Sequence, residues 1–148
     1  MSAADEVIAF ANLDDFRRGQ GIGHLLLAEI SAFGPSKDAA KVHLESGLKI
    51  FEELGVQEGL NCELAARVFR GLSDCQRSHD SIAVGLEWAK EYPLVTAGLR
   101  GELAILLRAE GRIAESDQQL ALAQEIFLKC GVERRWTNLL MSLNVPSQ

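Results

Sequence analysis

The chain has 148 residues, of which 47% are hydrophobic and 24% charged, a composition typical of one folded domain with its own core. These figures exclude disorder over most of its length. Its 15 Lys and Arg residues and 21 Asp and Glu residues give a net charge of −6. Binding to nucleic acid or to an anionic membrane would need a local basic patch, which the sequence lacks, so both partner classes are excluded.

Composition also indicates the fold class and the compartment. Runs of Ala, Leu, Glu and Arg with only 3 Pro favour an all-α fold. No window approaches the roughly 20 apolar residues of a membrane span, and the N-terminus has no basic leader, so we expect a cytoplasmic protein. The cysteines Cys62, Cys75 and Cys130 are odd in number and far apart, which predicts reduced thiols.

The first predicted element is a single helix over residues 3–16. The glycine-rich segment Gly19-Gln20-Gly21-Ile22-Gly23 follows it. This segment partly resembles a phosphate-binding loop, but it has no preceding strand and no Gly-Lys-Ser/Thr ending. We therefore interpret it as a flexible turn before the next helix.

Three units follow, at about 20–55, 58–93 and 96–131, and each is predicted to contain two helices, A and B. Short breaks separate the two helices, namely Gly34-Pro35-Ser36, Ser73-Asp74 and Glu110-Gly111, and Gly55, Pro93 and Gly131 close the units. A lone A-type helix over 133–143 ends the chain. The prediction is thus a single domain over 1–148 with about eight helices.

The three units are related by a shift of 38 residues. The clearest column contains only alanine, at Ala28, Ala66 and Ala104. A second column has large aliphatic residues, at Leu44, Ile82 and Leu120. A third column has small residues, at Gly47, Gly85 and Ala123. Such self-similarity indicates stacked helical pairs, an α-solenoid, rather than a globule with a central cleft.

These residues resemble the tetratricopeptide repeat (TPR) family. The third unit carries the resemblance best, through Leu103, Ala104, Leu107, Gly111, Ser116, Leu120 and Ala123. The family repeat has about 34 residues, and the longer units here are similar to the long-helix type of bacterial regulatory and signalling proteins. His24, Cys62 and Arg100 replace the aromatic residue expected early in helix A. The resemblance implies antiparallel hairpins, a concave groove lined by the A helices and a role in protein binding.

If the groove has that geometry, its lining includes Leu25, Glu29, Leu60, Glu63, Arg67, Arg70, Arg108 and Trp136. We expect Arg67, Arg70 and Arg108 to bind carboxylates of an acidic peptide or partner helix. Leu60 and Trp136 would be the apolar anchors. The alternative is a solvated surface on which the arginines pair with Glu29, Glu63 and Glu102. Leu25 and Glu29 stand where a chaperone-tail clamp needs Lys and Asn, so that partner is not expected.

The last helix is unusually apolar for the end of a repeat array. Its large residues are Trp136, Leu139, Leu140, Met141 and Leu143. A helix without its own B partner would leave these residues uncovered. We therefore expect either a homodimer formed through this helix, or a longer repeat protein from which this chain is a piece.

Metal binding and nucleophilic catalysis have little support in the sequence. Cys75 and His79 have helical spacing, but a structural zinc site needs about four ligands. His24, His43, Cys62 and Cys130 are distributed over the three units, and no third group orients a Cys–His pair. The sequence therefore predicts no metal, no cofactor and no catalysis.

The sequence as a whole predicts a non-catalytic interaction or scaffold module that binds a partner's peptide or helix. The alternative is a regulatory sensor domain in which the groove closes around a small ligand or signal peptide. A metal-dependent enzyme centred on the His and Cys residues is a third and weaker hypothesis.

Overall fold

The computed structural model describes residues 2–6, 17–55 and 59–143, without the side chains of residues 59 and 60. Within these ranges the chain is all-helical and contains no strand, as predicted. Residues 3–6 are helical, and the rest of the helix predicted over 3–16 lies outside the described residues. Seven helices follow: α1 (Arg17–Ala32), α2 (Lys37–Leu54), α3 (Gly59–Gly71), α4 (Cys75–Trp88), α5 (Pro93–Ala109), α6 (Ile113–Lys129) and α7 (Glu133–Ser142).

Local chemistry explains where the helices begin and end. Asp74 caps α4 by accepting a hydrogen bond from the backbone N–H of Arg77 at 3.2 Å. Gly55, Gly111 and Gly131 end helices with φ of 64°, 78° and 71°, a left-handed conformation that favours glycine. Pro93 was predicted to close the second unit, but it opens α5 instead. Proline suits the first turn of a helix because its missing N–H has no intrahelical partner there.

The glycine-rich segment at residues 19–23 is not a turn, and that prediction was wrong. It lies inside α1, where Gly21 and Gly23 are buried. A Cβ placed on Gly21 would lie 2.8 Å from the ring of Phe51, so the glycine allows α2 to approach α1 closely. The helical cost of glycine is offset here by packing.

Consecutive helices pair, and alternate helices form a row. The pairs α1–α2, α3–α4 and α5–α6 make the most extensive contacts, and α3 also packs on both α1 and α5. At the C-terminal end α7 packs on α6, and Leu139 of α7 lies 3.1 Å from where a Cβ of Gly101 in α5 would be. In the described part of the chain no helix has both the length and the apolar character needed to cross a membrane.

The all-alanine column occupies one recurring environment. Ala28, Ala66 and Ala104 are each fully buried. The Ser78 hydroxyl donates to the Ala66 carbonyl at 2.8 Å, and the Ser116 hydroxyl donates to the Ala104 carbonyl at the same distance. Both serines are buried, and each bond joins the second helix of a pair to the first. At these positions a 38-residue step therefore relates equivalent contacts.

We predict that Ser78→Ala and Ser116→Ala each lower the free energy of unfolding by about 1 kcal/mol, because each removes one buried hydrogen bond. Ala40 has the same register in the first pair and is fully buried. Ala40→Ser should therefore be tolerated, since its hydroxyl can donate to the Ala28 carbonyl. Urea titration followed by circular dichroism measures all three variants. A loss in Ala40→Ser as large as in the control Ala32→Ser, at another fully buried alanine, would contradict the equivalence.

Candidate functional site

A groove of about 380 Å³ runs along the odd-numbered helices. The charged residues that line it are three glutamates and three arginines, and all come from α1, α3, α5 and α7: Glu29, Glu63, Glu102, Arg67, Arg70 and Arg135. Phe33, Ile105, Phe127 and Leu139 add apolar surface, and Asn138 and Ser142 add polar groups. The described lining is formally neutral but densely charged.

Arg67 lies at the centre of this charge network and contacts all three glutamates. Its Nε lies 2.8 Å from Glu102 Oε1, its Nη2 lies 3.0 Å from Glu63 Oε1, and its Nη1 lies 3.2 Å from Glu29 Oε1. These carboxylates belong to three helices, α1, α3 and α5. One guanidinium therefore joins three helices of the row.

Burial and the neighbouring charges shift two of these groups. The Glu63 side chain is 6% exposed, and this burial raises its pKa, although Arg67 and Arg135 oppose the rise. Burial alone would lower the pKa of Arg67, but Glu102, Glu29 and Glu63 raise it well above its usual value. Arg67 is thus a permanent cation, which compensates carboxylates that water barely reaches.

Arg70 and Arg135 are held more weakly than Arg67. Arg70 Nη2 makes one contact of 3.3 Å with Glu102 Oε2, and its buried Nε has no hydrogen-bond partner among the described residues. Arg135 Nη2 lies 3.5 Å from Glu63 Oε1, and its side chain is 41% exposed. Each guanidinium also lies 5.1 Å from the centre of a ring, Phe33 for Arg70 and Phe127 for Arg135.

Two glycines of α5 give the groove its depth. A Cβ on Gly98 would lie 2.6 Å from Glu63 Oε1, so that the Glu63 carboxylate rests directly on the α5 backbone. Gly101 leaves the same kind of space for the Leu139 side chain of α7. Larger residues at these positions would displace the groups that form the floor.

The groove contains four of the predicted groove residues, namely Glu29, Glu63, Arg67 and Arg70. Arg67 and Arg70 pair with the glutamates of the groove, as the alternative interpretation expected. The network is part-buried, however, and not a solvated surface. Arg67, with three carboxylates already bound, does not present a free guanidinium to a ligand.

Three other predicted groove residues lie elsewhere. Leu25 is fully buried in the core of the first helix pair, because it fills the space beside Gly47. Arg108, near the C-terminal end of α5, donates to Asp117 Oδ1 of α6 at 2.7 Å, and its side chain does not line the groove. Trp136 packs against buried residues of α5 and α6 instead of lining the groove. The side chain of Leu60 lies outside the described residues.

Sequence reasoning missed Arg135, Asn138 and Phe127. The terminal helix was interpreted only as an apolar surface, so the polar residues on its other face were not considered. A helical projection of residues 133–143 places Arg135, Asn138 and Ser142 on one stripe, because they are spaced by three and four residues. That spacing was the available signal.

The predicted self-association surface on α7 is largely covered within the chain. Leu140 and Leu143 are buried, and Leu139 and Trp136 pack on the core clusters of α5 and α6. Their hydrophobic area is used to hold α7 in place, and Met141, at 70% exposed, is the large apolar residue that remains outside. Leu140 and Leu143 are therefore corrected from interface to core residues.

The histidines and cysteines do not assemble into a cluster. Among the residues that the structure describes, no three His, Cys, Asp or Glu side chains are arranged to hold a metal ion. Cys75 and Cys130 are exposed, and His79 pairs with Glu110 at 2.6 Å. His24 and His43, both in the first unit, meet within one helix pair, with their Nδ1 atoms 3.1 Å apart.

Comparison with known proteins adds no assignment, since the chain matches no protein family, no curated protein and no solved structure.

We predict that Arg67→Met lowers the free energy of unfolding by about 3 kcal/mol at neutral pH, because it leaves Glu63 and Glu102 buried without their main cation. Without that cation the folded state takes up a proton more readily than the unfolded state. Stability relative to the wild type should therefore recover as the pH falls towards about 4.3, the ordinary value for glutamate.

Denaturant titration across this pH range provides the measurement. The matched control is Arg112→Met, which removes an arginine paired with Glu115 on the exposed surface and should change the stability much less than Arg67→Met does. Equal losses in the two variants, or a loss in Arg67→Met that is independent of pH, would contradict the central role of Arg67.

The histidine pair predicts a second pH effect. Burial, followed by the charge of His43, lowers the pKa of His24 in the folded state. The unfolded chain thus binds a proton first, and stability should fall as the pH drops below about 6.5. His24→Gln should remove this contribution, which is measured as the difference between thermal melts of the two proteins from pH 8 to pH 5. If the melting temperatures of the two proteins differ by the same amount at every pH in that range, the effect is ruled out.

Proposed function

We propose that the chain is a TPR-like stack of helical hairpins that acts as a non-catalytic protein-interaction module. The equivalent environments of Ala28, Ala66 and Ala104 support this arrangement, as does the row formed by α1, α3 and α5. A stack of this kind presents an extended surface, which suits the binding of a peptide or helix.

The partner we propose is an acidic segment that binds in the groove along the odd-numbered helices. The observation that carries this proposal is the unequal pairing of the arginines. Arg67 holds Glu63 and Glu102 at 3.0 and 2.8 Å, whereas the contacts of Arg135 and Arg70 with the same glutamates are 3.5 and 3.3 Å. Arg70 and Arg135 can therefore turn to a ligand carboxylate while the buried glutamates keep a cation.

The apolar residues of the groove fit the remainder of such a ligand. Ile105 and Leu139 line it, and the rings of Phe33 and Phe127 lie against the guanidiniums of Arg70 and Arg135. A segment that alternates acidic and aliphatic side chains matches this combination. The glutamates of the groove would in turn repel a ligand with unpaired carboxylates elsewhere, which gives selectivity.

A sensor that binds a small ligand remains the second candidate, because a groove of about 380 Å³ has the size of a small-molecule site. Thermal stabilisation by a small dicarboxylate, with no affinity for acidic peptides, would favour this candidate over the interaction module.

The test uses two fluorescent peptides, one alternating Glu and Leu and one with Lys in place of Glu. We expect fluorescence anisotropy to show binding of the first alone, with affinity that decreases as salt increases. Arg70→Gln combined with Arg135→Gln should weaken binding about tenfold or more, since two charge-assisted hydrogen bonds are lost.

The matched control combines Arg77→Gln with Arg112→Gln, which removes the same charge from exposed arginines outside the groove. It should leave the affinity within about twofold. Thermal melts of both double variants establish that they are folded. Equal weakening in the two double variants, or equal binding of the Lys peptide, would refute the proposed site.

A further inference from the structure

A second cleft, of about 230 Å³, lies between α2, α3 and α4 and is lined by other residues than the groove. Leu48, Ala65 and Val84 contribute apolar surface. Asn61, Cys62, Asp80 and Ser81 contribute polar groups. Burial raises the pKa of the Cys62 thiol to about 11, so it is neutral at physiological pH.

Asn61 is the unusual member of this lining. Its side chain is buried, with the residue 5% exposed, yet both Oδ1 and Nδ2 lack a hydrogen-bond partner within the described residues. An unsatisfied buried amide costs about 1–3 kcal/mol, and buried polar groups in native proteins are nearly always paired. Asn61 is also among the residues that line the cleft, so a molecule bound there would lie beside this residue.

The equivalent position in the next unit shows what a purely structural residue looks like. Leu99 lies 38 residues after Asn61 and is fully buried. Its Cδ1 is 2.9 Å from where a Cβ of Gly85 would be, so Leu99 fills the junction between α4 and α5. At the corresponding junction α2 and α3 barely touch, and the atoms nearest to Gly47 belong to α1. Packing therefore accounts for Leu99 but not for Asn61.

We propose that this cleft is a binding site for a ligand of the amide class, whose adjacent N–H and C=O pair with Oδ1 and Nδ2 of Asn61 and whose aliphatic body contacts Leu48, Ala65 and Val84. A primary amide has one N–H on the same side as its C=O, so that donor and acceptor lie side by side as the complement of the asparagine amide. A carboxylate offers only acceptors and would lie near Asp80, whose negative charge disfavours it.

The probe is isovaleramide, with isovalerate and 4-methyl-2-pentanone as analogues of nearly the same shape. We expect isovaleramide to bind with a dissociation constant on the order of millimolar, the range that its few atoms allow. Titration followed by ¹⁵N–¹H NMR should shift the Asn61 side-chain amide and backbone amides near residues 61–65 and 80–84. The ketone and the carboxylate should bind about tenfold more weakly or not at all, because each leaves one Asn61 atom unpaired.

Asn61→Leu tests the residue directly. It should abolish binding and raise the melting temperature, because it removes the unpaired amide and fills the cleft. Asn61→Ala, which keeps the cleft open, should abolish binding and covers the case in which leucine does not fit. Gln118→Leu, at an exposed amide side chain of α6 that lines neither the cleft nor the groove, is the matched control and should bind the probe like the wild type.

The same titration identifies the source of the amide. N-acetyl-leucine N-methylamide presents the N–H and C=O of one extended leucine residue on the same side. Tighter binding than isovaleramide would indicate a peptide ligand, whereas weaker binding would indicate a free small amide. Equal shifts with all three small probes, binding retained in Asn61→Ala, or Asn61 amide shifts that no probe changes would overturn the proposal. The last result would mean that ordered water satisfies the amide.

Discussion

The interactions of Arg67 set the chemistry of the groove. Its guanidinium contacts Glu29 of α1, Glu63 of α3 and Glu102 of α5, so one side chain compensates the charges of three successive helices in the row. The Glu63 and Glu102 side chains are 6% and 9% exposed, and burial raises the pKa of Glu63, which Arg67 opposes. The groove depends on this arrangement, because the carboxylates form much of its lining.

The network also explains why the helices of the row do not simply bury hydrophobic faces against one another. Small residues permit close approach: Gly98 leaves space for the Glu63 carboxylate, and Gly101 leaves space for Leu139. The core lies on the other side of these helices, where Ala28, Ala66 and Ala104 are covered by their paired helices. Packing thus fixes the helices, and the charges determine the properties of the surface that the packing leaves open.

Much of the fold could be predicted from the sequence, because its signals are local and repeated. Gly55, Gly111 and Gly131 mark three of the predicted breaks, and each ends a helix through its own backbone conformation. The glycines at 19–23 misled the prediction, because the reason for Gly21 is the ring of Phe51, about 30 residues away in the chain. A close approach between helices is a tertiary fact that the local composition does not encode.

The candidate site could be predicted only in part, for a related reason. Residues on one helix share a face by their spacing, so Glu63, Arg67 and Arg70 were found together. Arg108 has the same register as Arg70, but it turns to Asp117 of α6, and register cannot choose between competing partners. Arg135 lines the groove because α7 lies beside α5. The sequence did not indicate this, because the apolar residues of α7 suggested an uncovered surface.

Departures from the repeat are more informative than the repeat itself. Where packing alone acts on a column, its residues stay alike, as in the alanines that are covered at every step. Asn61 and Leu99 have the same position in the repeat. Leu99 fills the space beside Gly85, whereas both polar atoms of the Asn61 side chain lack a hydrogen-bond partner within the described residues. Arg67 differs from Glu29 and Ile105, which lie one step before and after it, and it is the residue on which the charge network depends. Packing therefore does not explain the side chains at positions where one unit departs from the shared pattern. Another role must explain their polar groups.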